Sequence, residues 1–444
     1  MVTNTFDVCQ QVQDSEKVKA VHGEFFTDNL PENFFKNICN DLKNKNKVDY
    51  IRKKPFKHQQ ECIDVCLKYF LENNADLFWR AYVELACGSG KSLMAFWLTV
   101  MMKVKRTVIF VPSLYLLSQF YTDWINQSYA EGVKINYLLI GSDADVDDKI
   151  KYKSPSGITL LTDYKLIKEH IKNVKKDEQL VVISTYQSAD KLAKACEENI
   201  KFDFGIFDEA HKTVGQAGKQ FSLMLTDDNM VIHKRLFMTA TPKIYGGKGS
   251  LEEDDIISMD DEKYYGKKLY CYNTGNAIND KKLVDYQLIT ILTKDDNMKK
   301  FIEENKLVKF KKEFTEEYSQ YLAIIIILLK KIHDGTSNHI VTYHNTVNRA
   351  NKFKKIIGII NELLYKGSDL YIDSLDGSKT MSNRKRIVNN FVEAKNGILC
   401  SNRVLNEGVN IPCIDGICFV DNRNSCIDIV QCIGRSFQEL MISW

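Results

Sequence analysis

Ala86-Cys87-Gly88-Ser89-Gly90-Lys91-Ser92 stand between a short apolar run, 81–86, and a stretch of helical character, 93–102. Strand, glycine-rich turn, helix is the order that a phosphate-binding loop requires. Backbone N–H groups of Cys87, Gly88, Ser89 and Gly90 would face phosphate oxygens, and Lys91 would neutralise their charge. The Ser92 hydroxyl would reach a cation held by the same phosphates. The loop departs from the form G-x-x-x-x-G-K-[ST] in one place, because Leu85 occupies the first glycine position. Such a unit commits the chain to an α/β architecture.

The remaining pattern agrees. From about 51 to 293, apolar runs at 81–86, 107–111, 181–184, 204–207, 235–238 and 287–292 alternate with longer amphipathic stretches. They read as strands of a parallel sheet. Several are followed by a polar or small residue, where open α/β sheets place their ligand crevice. Residues 294–318 are rich in Lys, Asp, Glu and Asn and read as a surface connection. A second alternation follows: helix 317–332, strand 340–343, helix 346–365, strand 370–374, helix 380–394, strands 397–401 and 416–420, and a helix from about 427. The expected organisation is a polar helical extension (1–50), a first α/β domain (51–293), the connection (294–318) and a second, similar domain (319–444), with a cleft between the two domains.

Bulk properties exclude more than they assign. A chain of 444 residues is long enough for two cores. A net charge of +3 is too small to attract nucleic acid through its overall field, so any basic track must be local. Only ten of the 61 basic residues are arginine, and Asn and Ile are abundant, which points to an AT-rich genome rather than to a function. The twelve cysteines include no paired CxxC of a zinc site. In a long chain without a secretory start they read as reduced thiols. The expected location is intracellular, in the cytoplasm, with the nucleus or a viral replication site also compatible. The most apolar run, 322–329, is far too short to span a bilayer and reads as a buried helix.

Four further constellations carry chemistry. Phe204-Gly205-Ile206-Phe207 leads into Asp208-Glu209-Ala210-His211, and adjacent acids at the mouth of a buried strand suit a magnesium ion and an attacking water. Gln59 lies in Pro55-Phe56-Lys57-His58-Gln59-Gln60. Its amide can donate to and accept from an adenine edge, with Phe56 packed on the base, although the same residues also read as a polar helix start. Thr239-Ala240-Thr241-Pro242 follows another strand; its hydroxyls suit either a hydrogen-bonded relay or a capped turn. Finally, Gln431-Cys432-Ile433-Gly434-Arg435 supplies a cation from the second domain. As an arginine finger, Arg435 would accelerate hydrolysis by roughly 10³–10⁵; it also fits a local pair with a carboxylate.

Taken in order, these motifs resemble superfamily 2 helicases and translocases, which have two RecA-like domains. Within that superfamily they are most similar to the DEAD/DEAH-type motors of restriction enzymes. The resemblance rests on KHQQECID, ACGSGKS, DEAH, MTATPKIYG, SMDDEKYYGKKLY, LVDYQL, CSNRVLNEGVNIP and DIVQCIGR, and covers about residues 51–438. It implies ATP and Mg²⁺ as cofactors, with Gln59 on adenine, Lys91 on the β/γ-phosphates, and Ser92 and Asp208 on magnesium. Glu209 would orient or deprotonate the attacking water, while Gly408, Asn410 and Arg435 would approach the nucleotide from the second domain. His211, Thr239, Thr241 and Gln431 would couple hydrolysis to movement. Segments near Pro112, Ser113, Thr185, Tyr343, His344 and Val404 would line a nucleic-acid track, contacting mostly its backbone. The implied activity is ATP-driven movement along a strand, with DNA favoured over RNA on the restriction-type likeness alone.

Departures from the pattern set a second expectation. Gln438 stands where the family carries the last arginine of its final motif, Asn410 where aspartate is common, and the chain ends at Trp444 ahead of the elements that complete such a domain. The second domain is thus expected to be incomplete: a truncated or split gene product, or a motor completed by a partner chain that also supplies a nuclease or other activity. The alternative is a regulatory module that binds ATP and nucleic acid with weak or no hydrolysis. A non-motor NTPase is disfavoured by the C-terminal motifs.

Overall fold

The computed structural model describes residues 50–72, 79–141, 151–153, 159–175, 178–196, 200–216, 221–244, 256–285, 316–376, 379, 381–402, 411, 413–422 and 429. The chain divides into two compact units, Met1–Ile51 and Arg52–Trp444, and both sheets below belong to the second.

Its elements begin with α1 (Lys57–Leu71), β1 (Trp79–Leu85), α2 (Lys91–Met102), β2 (Arg106–Val111), α3 (Leu114–Glu131) and β3 (Ile135–Ile140). There follow β4 (Lys151–Lys153), β5 (Thr159–Leu161), α4 (Tyr164–Asn173), β6 (Gln179–Thr185), α5 (Ala189–Cys196), β7 (Phe202–Asp208) and a 3-10 turn, Ala210–Thr213. Next come β8 (Gly215–Gln216), β9 (Ile232–Thr239), β10 (Ile256–Ile257), α6 (Glu262–Tyr265), β11 (Lys267–Tyr272) and α7 (Thr274–Asn279). The later part comprises α8 (Glu316–His333), β12 (His339–Tyr343), α9 (Val347–Leu364), β13 (Tyr371–Leu375), α10 (Met381–Glu393), β14 (Gly397–Ser401) and β15 (Gly416–Phe419).

Nine strands form the first sheet, in the order β11-β1-β9-β7-β2-β6-β3-β5-β4. Every pairing is parallel except β4 with β5. Parallel strands need helices on both faces, so the central strands read as continuous apolar runs. In β7, Phe204 to Asp208 are all buried. Gly205 interrupts that run for a steric reason: a Cβ there would stand 2.9 Å from Ile232 Cγ2 on β9. One face packs on α1, α2, α3 and α7 through Ile63, Phe70, Phe96, Trp124 and Ala277. The other packs on α4, α5 and α6 through Ile167, Leu192 and Tyr265.

The second sheet is parallel, in the order β13-β14-β12-β15. Its faces carry one core with α8 and α9 and another with α10. The expected class, α/β with two parallel sheets, is therefore found. The apolar run at 322–329 lies in α8, with Leu322, Ile325 and Leu329 in the core. Six strands went unanticipated, β3, β4, β5, β8, β10 and β11, and β3 and β11 are the longest of them. β3 was hidden in an amphipathic stretch, and β11 begins with two exposed lysines at the sheet edge. The expected strand at 287–292, the connection and the final helix fall outside the described residues, apart from 429 and the start of α8.

Candidate functional site

The C-terminal ends of β1, β7 and β9 bring the motifs together. After β1 the chain turns through Gly88 (φ 76°) and Gly90 (φ 78°), conformations that L side chains rarely adopt. Gly90 is constrained twice, because a Cβ there would lie 2.3 Å from Gln59 Nε2. α2 starts at once with Lys91, which leaves the first N–H groups of the helix facing the loop.

Glu209 follows β7 in a left-handed conformation (φ 49°), unusual for a residue with a side chain. That bend turns its carboxylate back over the loop. Lys91 Nζ lies 3.7 Å from Glu209 Oε1, and His211 Nδ1 lies 3.4 Å from Glu209 Oε2. The chain continues: His211 Nδ1 and Thr239 Oγ1 are 2.9 Å apart, and the Thr241 N–H donates to Thr239 Oγ1 at 3.1 Å. Lys91, Glu209, His211, Thr239 and Thr241 thus form one connected network across three strands. Burial lowers the His211 pKa, so the ring is neutral near pH 7.

Asp208 is buried, and burial with the neighbouring Glu209 charge holds its carboxyl well above the usual carboxylate range. Its Oδ1 accepts no hydrogen bond among the described residues. Two adjacent acids with an unused buried oxygen fit a divalent cation, whose charge would offset both. Among the described residues no group of three or more His, Cys, Asp and Glu side chains could hold a metal. A cation here would therefore complete its shell with phosphate and water oxygens, as magnesium does. Ser92, the other expected ligand, lies beside Asp123 on α3, whose carboxyl is raised by burial.

Gln59 is where the motif reading placed it, yet differently engaged. Its Nε2 donates to Ser89 O and Gly90 O, both at 3.1 Å, while its Oε1 accepts from Phe56 N at 2.8 Å. Reading adenine requires the amide to release the loop. Phe56 is half-exposed, with Lys282 Nζ 4.1 Å from its ring centre. His58 was missed in the sequence: its Nε2–H donates to Ser89 O at 3.0 Å, and its ring stacks on Tyr272 at 4.1 Å. Only β11, arriving from far along the chain, shows what this histidine holds.

Several of the residues that mark the expected nucleic-acid track have buried side chains. Tyr343 is a core residue stacked on Phe419 at 5.6 Å, and His344 is fully buried, 2.9 Å from Thr342 Oγ1. The Thr185 side chain is buried as well. These side chains face inward because they end strands covered on both faces, so in this conformation they present no side-chain contact surface. Pro112 and Ser113 remain at the mouth of β2, with Ser113 Oγ capping α3. Val404, Gly408, Asn410, Gln431, Arg435 and Gln438 lie outside the described residues.

A glycine-rich loop, a lysine bridged to an acid pair, and two parallel sheets define a phosphate-loop protein with two RecA-like domains. Residues 52–244 match the family model of the type III restriction enzyme res subunit, and residues 321–438 match the helicase conserved C-terminal domain. Together the two matches support a superfamily 2 helicase related to the motors of restriction enzymes. Such domains imply binding of ATP and of nucleic acid.

The chain is similar to the probable helicase A859L of African swine fever virus, at 26% identity over 365 residues, covering 80% of this chain and 37% of that protein. A second isolate of the virus gives 26% over 362 residues, with the same shares covered. The chain thus spans little more than a third of these relatives. Among solved structures, the ATP-dependent type ISP restriction-modification enzyme LlaBIII, bound to DNA, matches with a TM-score of 0.66 at 24% identity, over 87% of this chain and 27% of that one. A nuclease-deletion mutant of the type ISP enzyme LlaGI, with a DNA substrate mimic, gives 0.58 at 23%, over 86% and 26%. At these identities the likeness is one of fold. Among the described residues no helix is long and apolar enough to cross a membrane.

Proposed function

We propose that this chain is a nucleic-acid-dependent ATPase that moves along DNA. The observation that carries this reading is the ion pair between Lys91 and Glu209, at 3.7 Å, on the phosphate loop. A γ-phosphate entering the loop would take Lys91 as its counter-charge and leave Glu209 free to accept a proton from an attacking water. The neutral His211 holds Glu209 and passes its position to Thr239 and Thr241. Asp208 and Ser92 would hold Mg²⁺, which supplies charge neutralisation at the phosphates. Gln59 and His58 fix the loop so that its N–H groups are oriented before the nucleotide binds. Arg435 is the proposed second cation. DNA is preferred because the restriction enzymes of similar fold were solved with DNA or a DNA mimic.

The test is ATP turnover by the wild type and Lys91→Ala, each with single-stranded DNA, duplex DNA or RNA. DNA should stimulate the wild type well above the variant. Stimulation by RNA alone would overturn the DNA assignment, and no stimulated turnover at all would overturn the motor.

A further inference from the structure

Beneath the acid segment, five aromatic rings run in a row across the sheet. Tyr186 follows β6, Phe110 lies on β2, Phe207 on β7, Phe237 on β9 and Tyr265 at the end of α6. Ring centres are separated by 6.0, 5.1, 4.7 and 4.9 Å in that order. The strand order β9-β7-β2-β6 puts these residues side by side, with Phe110 paired to Phe207 and Phe207 to Phe237 in register. All five are buried in one core.

Each end of the row carries a phenol, and each phenol is bonded to the same short segment. Tyr186 OH donates to Asp208 O at 2.8 Å. β2 pairs with β7 only as far as Phe207, so the phenol reaches over the end of β2 to the first carbonyl beyond that pairing. At the other end Tyr265 OH and Thr213 Oγ1 are 2.7 Å apart, and Thr213 Oγ1 donates to Ala210 O at 2.7 Å. Between these fixed points lies Glu209, the left-handed residue. Such a conformation in a side-chain-bearing residue persists only where its surroundings over-determine it.

We infer that the aromatic row is a positioning device, in which the Tyr186 and Tyr265 hydroxyls clamp residues 208–213 and hold the Glu209 carboxylate over the phosphate loop. Neither tyrosine touches the nucleotide site: Tyr186 acts through the Asp208 carbonyl, and Tyr265 through the Thr213 hydroxyl that donates to Ala210 O. Stiff rings in contact suit this role, because a ring row transmits the fixed spacing of four strands to its two ends. The inference rests on the ATPase reading for its catalytic consequence, but the clamp itself is a separate physical claim.

Tyr186→Phe and Tyr265→Phe keep the rings and delete one hydroxyl each. Two measurements decide the matter: hydrogen exchange of the peptide spanning 207–213, and steady-state ATP turnover, with Glu209→Gln as the inactive reference. The clamp predicts faster exchange in that peptide alone, a kcat lower by about three- to tenfold for each variant as expected for one buried hydrogen bond, and an unchanged KM for ATP. Unchanged exchange would overturn the clamp, whatever the kinetics. Faster exchange with wild-type kcat, in an enzyme whose turnover Glu209→Gln abolishes, would overturn its role in positioning Glu209. If the wild type turns over no faster than Glu209→Gln, the ATPase reading fails, and the exchange arm still judges the clamp.

Discussion

The nine-stranded sheet, parallel but for β4, and the parallel four-stranded sheet are both helix-covered, yet their C-terminal edges leave different polar groups unsatisfied. At the edge of the nine-stranded sheet, Lys91, Asp208, Glu209, His211 and Thr239 converge, and Asp208 Oδ1 is left buried with no hydrogen bond among the described residues. At the described edge of the four-stranded sheet the charged groups are paired, and the buried atoms without a hydrogen bond among the described residues include the neutral Ser401 Oγ and Asn402 Oδ1. Thr342 and His344 are bonded at 2.9 Å, Asp421 accepts from Arg349 at 2.8 Å and from Asn345 N at 2.7 Å, and Ser374 Oγ donates to Asn351 at 2.7 Å. Paired charges of this kind stabilise a fold, whereas a buried carboxylate oxygen without a hydrogen bond is held in readiness for a ligand. One architecture thus serves two purposes, and the difference lies in which groups are left unsatisfied.

The largest effect expected from that contrast is at the lysines. Lys91→Ala should lower turnover by about 10²–10³ or more, the cost of removing one preorganised charge partner of the transition state. Lys354→Ala breaks the ion pair with Asp373 in the second sheet, and should leave turnover unchanged with about 0–1 kcal/mol of stability lost. Equal kinetic damage from both would dissolve the distinction between the edges.

Two glycines sharpen the comparison in stability. Gly266 and Gly367 both have positive φ, 68° and 76°. A Cβ at Gly266 would stand 1.8 Å from Arg80 O, while one at Gly367 meets nothing within 4 Å. Gly266→Ala should therefore cost roughly 3 kcal/mol or more, because main chain must move. Gly367→Ala should cost only about 1–2 kcal/mol for the left-handed conformation. Urea melts of the two variants check the ranking, and a reversed order would contradict it.

His58→Phe keeps the stack on Tyr272 and removes the bond to Ser89 O. We expect KM for ATP to rise by about three- to tenfold with kcat little changed, as for one lost buried hydrogen bond. A fall in kcat alone would place His58 in the chemistry instead of under the loop. The smallest effect belongs to Ser401→Ala. Ser401 Oγ is buried and makes no hydrogen bond among the described residues, so its removal should change stability by less than about 0.5 kcal/mol. A loss of 2 kcal/mol or more, on the order of an unsatisfied partner left behind, would show that this hydroxyl is hydrogen-bonded after all.

Much of the architecture was legible because a parallel strand covered on both faces must be an apolar run. β7, β12 and β14 appear in the sequence within a residue or two of where they form. β11 was not legible: its stability comes from pairing with β1, far away in sequence, and its exposed lysines hide the alternation. In the site, short motifs pointed to Lys91, Asp208, Glu209 and His211, which the fold brings together at one sheet edge. What Gln59 holds, what His58 braces and what the phenols of Tyr186 and Tyr265 clamp depend on elements brought together only by folding. At Tyr343 and His344 the motif position was legible, but not that the sheet turns both side chains inward.

The central claim, that the first edge is poised to hydrolyse ATP, is tested most directly at Glu209. Glu209→Gln preserves size and removes only the carboxylate charge. In the presence of DNA, the account predicts nucleotide binding within about threefold of the wild type, while turnover falls by about 10²-fold or more, within the roughly 10²–10⁴ range of general-base catalysis. Turnover at the wild-type rate in Glu209→Gln, with Lys91→Ala inactive, would contradict it.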